Sequence, residues 1–444
     1  GQVSLETIGE ITIPGFEGTA KFLRTNLSGT TIPLFMVEHP YFDRKEIYGD
    51  YPDNHIRYAL FSKAVLEGLQ FIPKLNQLLK PNLILHCNDW PTALIPTYLE
   101  LTYPHLKDTV SSLLTIHNMA HEGEFDLTDL VKLALMREGG DFNKVREILE
   151  FAGRGNLLKA GIITANDVGT VSRGYALEIQ GGHWKLQNVL RRGHVWGIHN
   201  GINTNEFDPE TDPYLTHHYN ISNFKQGKKA NKAELWEKLA MGDMPDKTFV
   251  VGIVSRLSRQ KGFGQLMPIF DRLMKKIPNL YFFVGGKGEE SWIWQDFQKR
   301  YPDRIFGEPG KFAPEEIVRL IYAGSDAFMV PSLDEPCGLT PLIAMRYGTV
   351  PLVRRVGGLR VIYEYDPINP DRGSADGLGF GYDNFDDHQA IFDMLMRAAK
   401  TYKQKMLWNV LVENCMRRDV SWDRAAKFYA SIYEGLVAKI EGGV

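Results

Sequence analysis

The sequence predicts an α/β protein of two doubly wound, Rossmann-like domains facing across a cleft. Three observations carry this. Between residues 248 and 353, four short apolar runs alternate with amphipathic patterns of helical length. A less regular version of the same alternation occupies residues 83–171. Between the two lies a polar stretch, 211–231, rich in Asn, Asp, Pro and Lys. Strand and helix alternating at this spacing imply a parallel sheet with helices on both faces.

In the second half, 248–254, 280–284, 326–330 and 350–353 read as strands buried on both faces. The segments 265–276, 291–299, 314–323 and 339–347 read as the helices between them. Crossovers of one hand bring all four strand exits to one edge of the sheet, where such folds bind ligand. In the first half, 83–86, 112–116, 161–164 and 168–171 read as short strands, and 56–68, 90–99 and 141–152 as helices. The stretch up to residue 37 alternates like a meander of strands. A helix over 228–240 falls in the connection. The expected division is a first domain over 1–205, a second over 206–422, and a last helix, 423–444, returning to the first.

Composition narrows the function. At 444 residues, 43% hydrophobic and 24% charged, the chain falls in the globular range. A formal charge of −3 offers no general attraction to nucleic acid or an anionic membrane, and no apolar run approaches the ~18 residues of a spanning helix. The three cysteines, Cys87, Cys337 and Cys415, form no CxxC pair, which fits a reducing compartment. Neither a metal site nor a dinucleotide fingerprint is expected: the twelve histidines lack ligand spacing.

Two strings carry chemistry in the second half. Arg256 and Lys261 leave the first strand five residues apart, spaced to put two cations at the sheet edge against a diphosphate. Two solvated surface cations is the plain alternative. The segment 331–342 follows the third strand and opens a helix. Its glycine turn leaves backbone N–H groups free for an anion or sugar hydroxyls, and Glu335 stands beside it. Gly285 to Gly288 is a weak glycine loop, equally a simple tight turn. In the first half, Asp89 and Trp90 end one strand, and His117 and Asn118 end the next.

Together these strings resemble the bacterial glycogen synthase and plant starch synthase family, retaining glucosyltransferases of the GT-B fold. The resemblance rests on His39 to Arg44 with Tyr48 and Asp50, residues 157–172, Asn200-Gly201-Ile202, 255–262, Glu335 to Thr340, 353–359 and Ser421-Trp422. It implies transfer of glucose from ADP-glucose to the non-reducing 4-OH of an α-1,4-glucan, without metal or cofactor, in a cytoplasm or plastid stroma. Its implied catalytic set is Glu335, His117, Asp89, Arg256 and Lys261. Donor contacts would come from Arg256, Lys261, Gly285, Glu335, Cys337, Gly338, Leu339, Thr340 and Asn200. Acceptor contacts would come from Asp89, Trp90, Asn118 and His121.

Three departures stand out. Asn88 and Pro91 replace two histidines of the family's His-Asp-Trp-His string, and His121 replaces a tyrosine. No Lys-x-Gly-Gly-Leu motif precedes residue 37, so the expectation is a first domain without its N-terminal donor-binding segment. The alternative reading is a non-catalytic glucan-binding or priming homologue. A sucrose- or trehalose-type synthase is disfavoured, because Cys337 stands where those enzymes usually carry Phe.

Overall fold

The computed structural model describes residues 5–47, 49, 51–80, 82–136, 139–182 and 184–442. Tyr48 and Asp50, part of one family-like string, lie outside them. The chain forms two compact units. The first comprises 1–171, 176–198 and 428–444, and the second 172–175 and 199–427.

The first unit opens with an antiparallel meander of β1 (Glu6–Thr12), β2 (Thr19–Asn26) and β3 (Pro33–Glu38). Phe22 of β2 is buried against α1 (Asn54–Phe71), where Gly68 makes room for its ring. A parallel sheet follows, built from β4 (Leu83–Asn88), β5 (Val110–Ile116), β6 (Asp167–Thr170) and β7 (Val195–Gly197) in the order β7-β6-β5-β4. Every residue of β5 is buried, as its apolar run requires. Between β4 and β5 a 3-10 turn, Trp90–Thr92, leads into α2 (Leu94–Leu101).

One expected strand is a helix. Residues 161–164 form the last turn of α4 (Leu157–Thr164), which follows α3 (Phe142–Leu149). Asn156 caps α4, its side chain accepting the Lys159 N–H at 2.8 Å. The run reads as a strand because this helix is apolar on nearly all sides. Gly161 packs so close to Ala93 that a Cβ would stand 2.8 Å from the Ala93 carbonyl oxygen. Short apolar runs do not distinguish a buried strand from a buried helix.

The second unit holds six parallel strands: β8 (Phe249–Val254), β9 (Leu280–Gly285), β10 (Ile305–Gly307), β11 (Ala327–Val330), β12 (Val350–Arg354) and β13 (Phe380–Tyr382). Their order is β10-β9-β8-β11-β12-β13. The chain thus winds outward from β8 in one direction, then returns to β8's other side with β11. That reversal is a topological switch point, where exit loops diverge and open a crevice. The covering helices include α5 (Phe224–Lys238), α6 (Phe270–Lys276), α7 (Ser291–Arg300), α8 (Glu315–Gly324) and α9 (Leu339–Arg346). Aromatic side chains fill the layer between α6, α7 and the sheet, with Phe270 stacked on Phe297 at 3.6 Å and Trp294 edge-on to both.

The final helix, α10 (Trp422–Gly442), contributes its residues from Phe428 onward to the first unit. There the Tyr433 hydroxyl meets His86 Nδ1 at 2.7 Å, and the Tyr429 ring packs on the same imidazole.

Candidate functional site

In the second unit the chemistry gathers at the switch point. The loops leaving β8 and β9 are zipped together by backbone bonds, Ser255 N–H to Gly285 O at 3.1 Å and Leu257 N–H to Lys287 O at 3.0 Å. A Cβ on Gly286 would lie 1.9 Å from Ser255 O, and one on Gly288 2.3 Å from Leu257 O. The glycine loop therefore serves close backbone approach, and it fixes the path of the segment bearing Arg256 and Lys261. Gly285 itself packs against Ala313.

Lys261 ends a 3-10 turn, Arg259–Lys261, and the chain then bends through Gly262. Gly262 has φ +72°, and a Cβ there would stand 2.2 Å from Pro331 O. That approach sets the β8 exit loop against the β11 exit loop, and Leu333 N–H donates to Gln260 O at 2.8 Å. Lys261 Nζ then reaches Glu335 Oε2 at 2.6 Å, and the Ser332 hydroxyl donates to the same oxygen at 2.8 Å. The pair is largely sheltered, with side chains 18% and 12% exposed. Arg256 is exposed, and its guanidinium makes no hydrogen bond or ion pair among the described residues, while its carbonyl accepts the Ser255 hydroxyl at 2.9 Å. Its charge still helps hold the Glu289 carboxyl below the usual range, after the backbone N–H groups of Glu289 and Arg259.

Beyond Glu335 the chain turns through Gly338, at φ +76°, into α9. No side chain among the described residues caps this helix start, and no backbone carbonyl among them accepts the N–H groups of Gly338, Leu339 and Thr340, the usual state of a helix N-terminus that can bind an anion. Two neighbours brace the loop. The Ser172 hydroxyl donates to Pro336 O at 2.6 Å, and Gly358 N–H donates to Glu335 O at 2.9 Å. Cys337 receives the Asn200 N–H on its sulfur and lies 3.8 Å from His199 Nδ1. Burial pushes its thiol up to about 12, so it stays neutral and packs rather than reacts. His199 Nε2 in turn faces Gly358 O at 3.2 Å.

In the first unit the expected residues gather at the exits of β4 and β5. Asp89 takes φ +57°, a conformation costly for a residue with a Cβ, and is held there by its N–H to Thr115 O at 2.8 Å. Its Oδ1 accepts the backbone N–H groups of His117 at 2.7 Å and Asn118 at 3.3 Å. Burial raises the Asp89 carboxyl, and the His117 N–H and charge oppose that shift. His117 Nε2 contacts Asn88 Oδ1 at 2.8 Å, so the asparagine found in place of a family histidine helps orient His117 at the neighbouring strand end. Trp90 packs edge-on to Tyr58 at 4.7 Å, and His121 is exposed, its N–H donating to Asn118 O at 3.3 Å.

The structure thus joins Lys261 to Glu335, Asn200 to Cys337, and Asp89 to His117 and Asn118. Among the described residues it gives the side chains of Arg256, Thr340 and His121 no hydrogen-bond or ion-pair partner. Sequence reasoning missed Ser332, His199, Ser172 and Gly358 as supports: the last three act on residues far away in the chain, and Ser332, only three residues from Glu335, carries no local signal that its hydroxyl turns onto that carboxylate. Among the described residues no group of three or more His, Cys, Asp or Glu is placed to hold a metal ion, and no helix is long and apolar enough to cross a membrane.

Comparison with known proteins gives the family and the fold. The family model for the starch synthase catalytic domain matches residues 3–192, and that for group 1 glycosyl transferases matches 236–365. A glycogen synthase of Thermotoga maritima is 36% identical over 425 residues, covering 93% of this chain and 83% of the relative. One from Koribacter versatilis is 37% identical over 417 residues, covering 91% and 81%. Among solved structures, the catalytic domain of starch synthase IV from Arabidopsis thaliana, bound to ADP and acarbose, superposes with a TM-score of 0.82. It is 30% identical, and the match covers 98% of this chain and 89% of that one. Sucrose-phosphate synthase from Thermosynechococcus elongatus, 17% identical with a TM-score of 0.56 over 88% of this chain and 81% of its own, shares the fold. The chain is a GT-B glycosyltransferase and belongs to the glycogen and starch synthase family.

Proposed function

We propose that this chain transfers glucose, with retention, from ADP-glucose to the non-reducing 4-OH of an α-1,4-glucan. The observation that carries the reading is the sheltered Lys261–Glu335 pair at the switch point, beside an uncapped helix start. A nucleoside diphosphate sugar asks for three things there: cations for the diphosphate, N–H groups for oxygens, and a carboxylate for sugar hydroxyls. Arg256 and Lys261 take the first role, Gly338 to Thr340 with Cys337 the second, and Glu335 the third. Asn200 acts by fixing Cys337. The ADP bound to the starch synthase relative supports the choice of nucleotide, and its acarbose supports an α-glucan acceptor.

In the reaction the bond from C1 to the phosphate oxygen breaks and a bond from C1 to the acceptor O4 forms. The hydroxyl proton leaves with the diphosphate. Fixed positive charge lowers the barrier by stabilising the departing group, and positioning supplies most of the remainder. In the first unit, His117 is assigned to the sugar being transferred, Asp89 to the reaction centre and the acceptor, and Trp90, Asn118 and His121 to the acceptor. The Asp89 carboxylate already holds two backbone N–H groups through Oδ1, which makes it an organiser of this cluster.

The test is incorporation of labelled glucose from ADP-glucose into glycogen by the full chain and by Glu335→Ala. Incorporation should fall at least a hundredfold in the variant while its melting temperature stays within a few degrees. Wild-type turnover in Glu335→Ala would overturn the site assignment. A folded wild-type chain with no incorporation would favour the non-catalytic reading.

A further inference from the structure

The second unit carries a recess that none of the chemistry above uses. It has a volume of about 660 Å³ and is lined by Asn205, Glu206, Pro213, Tyr214, Glu315 and Arg319. Its floor is Arg319 of α8, whose side chain is only 4% exposed. Arg319 is saturated: Nε donates to Glu315 Oε1 at 2.6 Å, and its terminal nitrogens to Glu206 O and Oε1, both at 3.1 Å. Below it lie the buried Asp212 carboxylate at 3.6 Å and the Tyr347 hydroxyl at 3.4 Å. Its guanidinium also lies 4.1 Å from the Phe207 ring centre and 5.6 Å from that of Tyr214.

This hub orders the walls. Glu206 and Glu315 are about half exposed, yet each is locked by Oε1 onto a buried cation. Glu315 Oε2 has no partner among the described residues, and Glu206 Oε2 has only the long 3.5 Å contact with Asn203. Tyr214 is held by its N–H to Asp212 Oδ1 at 2.9 Å, and its side chain remains 44% exposed beside Pro213. The recess thus offers two pre-oriented acceptor oxygens, an amide and a pinned aromatic surface, with the ordering entropy already spent in folding.

Charge decides what fits. Three carboxylates surround one guanidinium, so a phosphate or other anion is repelled. A metal ion is equally disfavoured, because the guanidinium sits between the two exposed carboxylates. A neutral polyhydroxyl ligand suits all the groups: its hydroxyls donate to Glu206 and Glu315, and its C–H face covers Tyr214. We infer that this recess is a second glucan-binding site that holds the polymer away from the site of transfer. The choice of glucan among polyhydroxyl ligands rests on the proposed function. Holding one chain of a branched polymer raises the local concentration of its other ends.

The test uses the full chain, with Tyr214→Ala and Tyr214→Phe. In native gels containing glycogen, Tyr214→Ala should lose most of the retardation of the parent and Tyr214→Phe should keep it, since the ring is retained. The KM for glycogen should rise three- to tenfold in Tyr214→Ala, while turnover of a maltotriose acceptor and the KM for ADP-glucose stay unchanged. That maltotriose turnover also shows that the variant is folded. Equal retardation of parent and Tyr214→Ala overturns the inference. Gel retardation needs no catalysis, so it decides the matter even if the parent transfers no glucose.

Discussion

Gly358→Ala is the sharpest probe of the donor loop, because its effect can be worked from one distance. A Cβ at 358 would stand 1.9 Å from Cys337 O, 2.3 Å from its carbonyl carbon and 2.6 Å from its Cα. These are backbone atoms, so no side chain can swing aside. Reaching even 3.0 Å, the closest approach that real Cβ atoms show, requires 3.0 − 1.9 = 1.1 Å of separation. That movement pulls on the bond from Gly358 N–H to Glu335 O, 2.9 Å long, and hence on the carboxylate paired with Lys261. Misplacing a positioned group by about 1 Å costs roughly a hundredfold in rate, or about 2.7 kcal/mol of transition-state stabilisation. The assay is initial-rate transfer from ADP-glucose to glycogen, with thermal unfolding measured alongside. Expected are a fall in kcat/KM for the donor near a hundredfold and a melting temperature lowered by only a few degrees. Activity within threefold of the parent would refute the claim that this close approach sets the loop.

Two further outcomes follow from charge. His86 is bonded through both ring nitrogens, to Tyr433 OH and Thr115 Oγ1, and burial first, with His117 second, pulls its pKa from 6.5 to about 4. Between those values the unfolded chain holds the extra proton, so stability falls as pH drops from 6.5 towards 4. In His86→Phe, denaturant midpoints at pH 6.5 and 4.5 should differ less than in the parent, and an undiminished difference would count against the assignment. In the Lys261–Glu335 pair, Lys261→Met or Glu335→Gln alone leaves one sheltered charge unmatched; a fully buried pair would lose about 3–5 kcal/mol, and the partial exposure here lowers that to roughly 2 kcal/mol each. Combining them should recover much of that stability without recovering glucose transfer. Additive destabilisation, measured by urea titration, would show that the pair is not coupled.

How far the sequence could be read follows from which forces are local. The strands β8, β9, β11 and β12 were legible because burial on both faces leaves an unbroken apolar run between turn residues. The same rule misreads 161–164, an apolar run that ends α4 with only Gly161 buried and Ile163 exposed. The polar signal that settles it is Asn156, whose side chain caps α4 and also donates to the buried Glu122 carboxylate at 2.6 Å. At the site, Arg256, Lys261 and Glu335 were recognisable by position after strands. Their pairing was not, since Lys261 and Glu335 meet across 74 residues through the β8–β11 adjacency. The Gly285 to Gly288 loop looked like a weak turn. Its purpose shows only when Gly286 and Gly288 are seen against the backbone of Ser255 and Leu257.

The unequal state of the two cations bears on how a donor would enter. Arg256 is exposed and unpaired among the described residues, so its charge acts through water and costs nothing to redirect. Lys261 is sheltered, and leaving it unpaired would incur a desolvation penalty that Glu335 and Ser332 together offset. On the proposed reading, a diphosphate first met by Arg256 replaces Glu335 as the partner of Lys261, so the ammonium is not left without an anionic oxygen. The exchange releases Glu335 Oε2, while Oε1, which takes part in neither bond, is open to sugar hydroxyls before and after it. What the pair discriminates is the partner of Lys261: an anionic oxygen can displace the carboxylate that the fold holds 2.6 Å away, and a neutral hydroxyl cannot do so without leaving two separated charges behind.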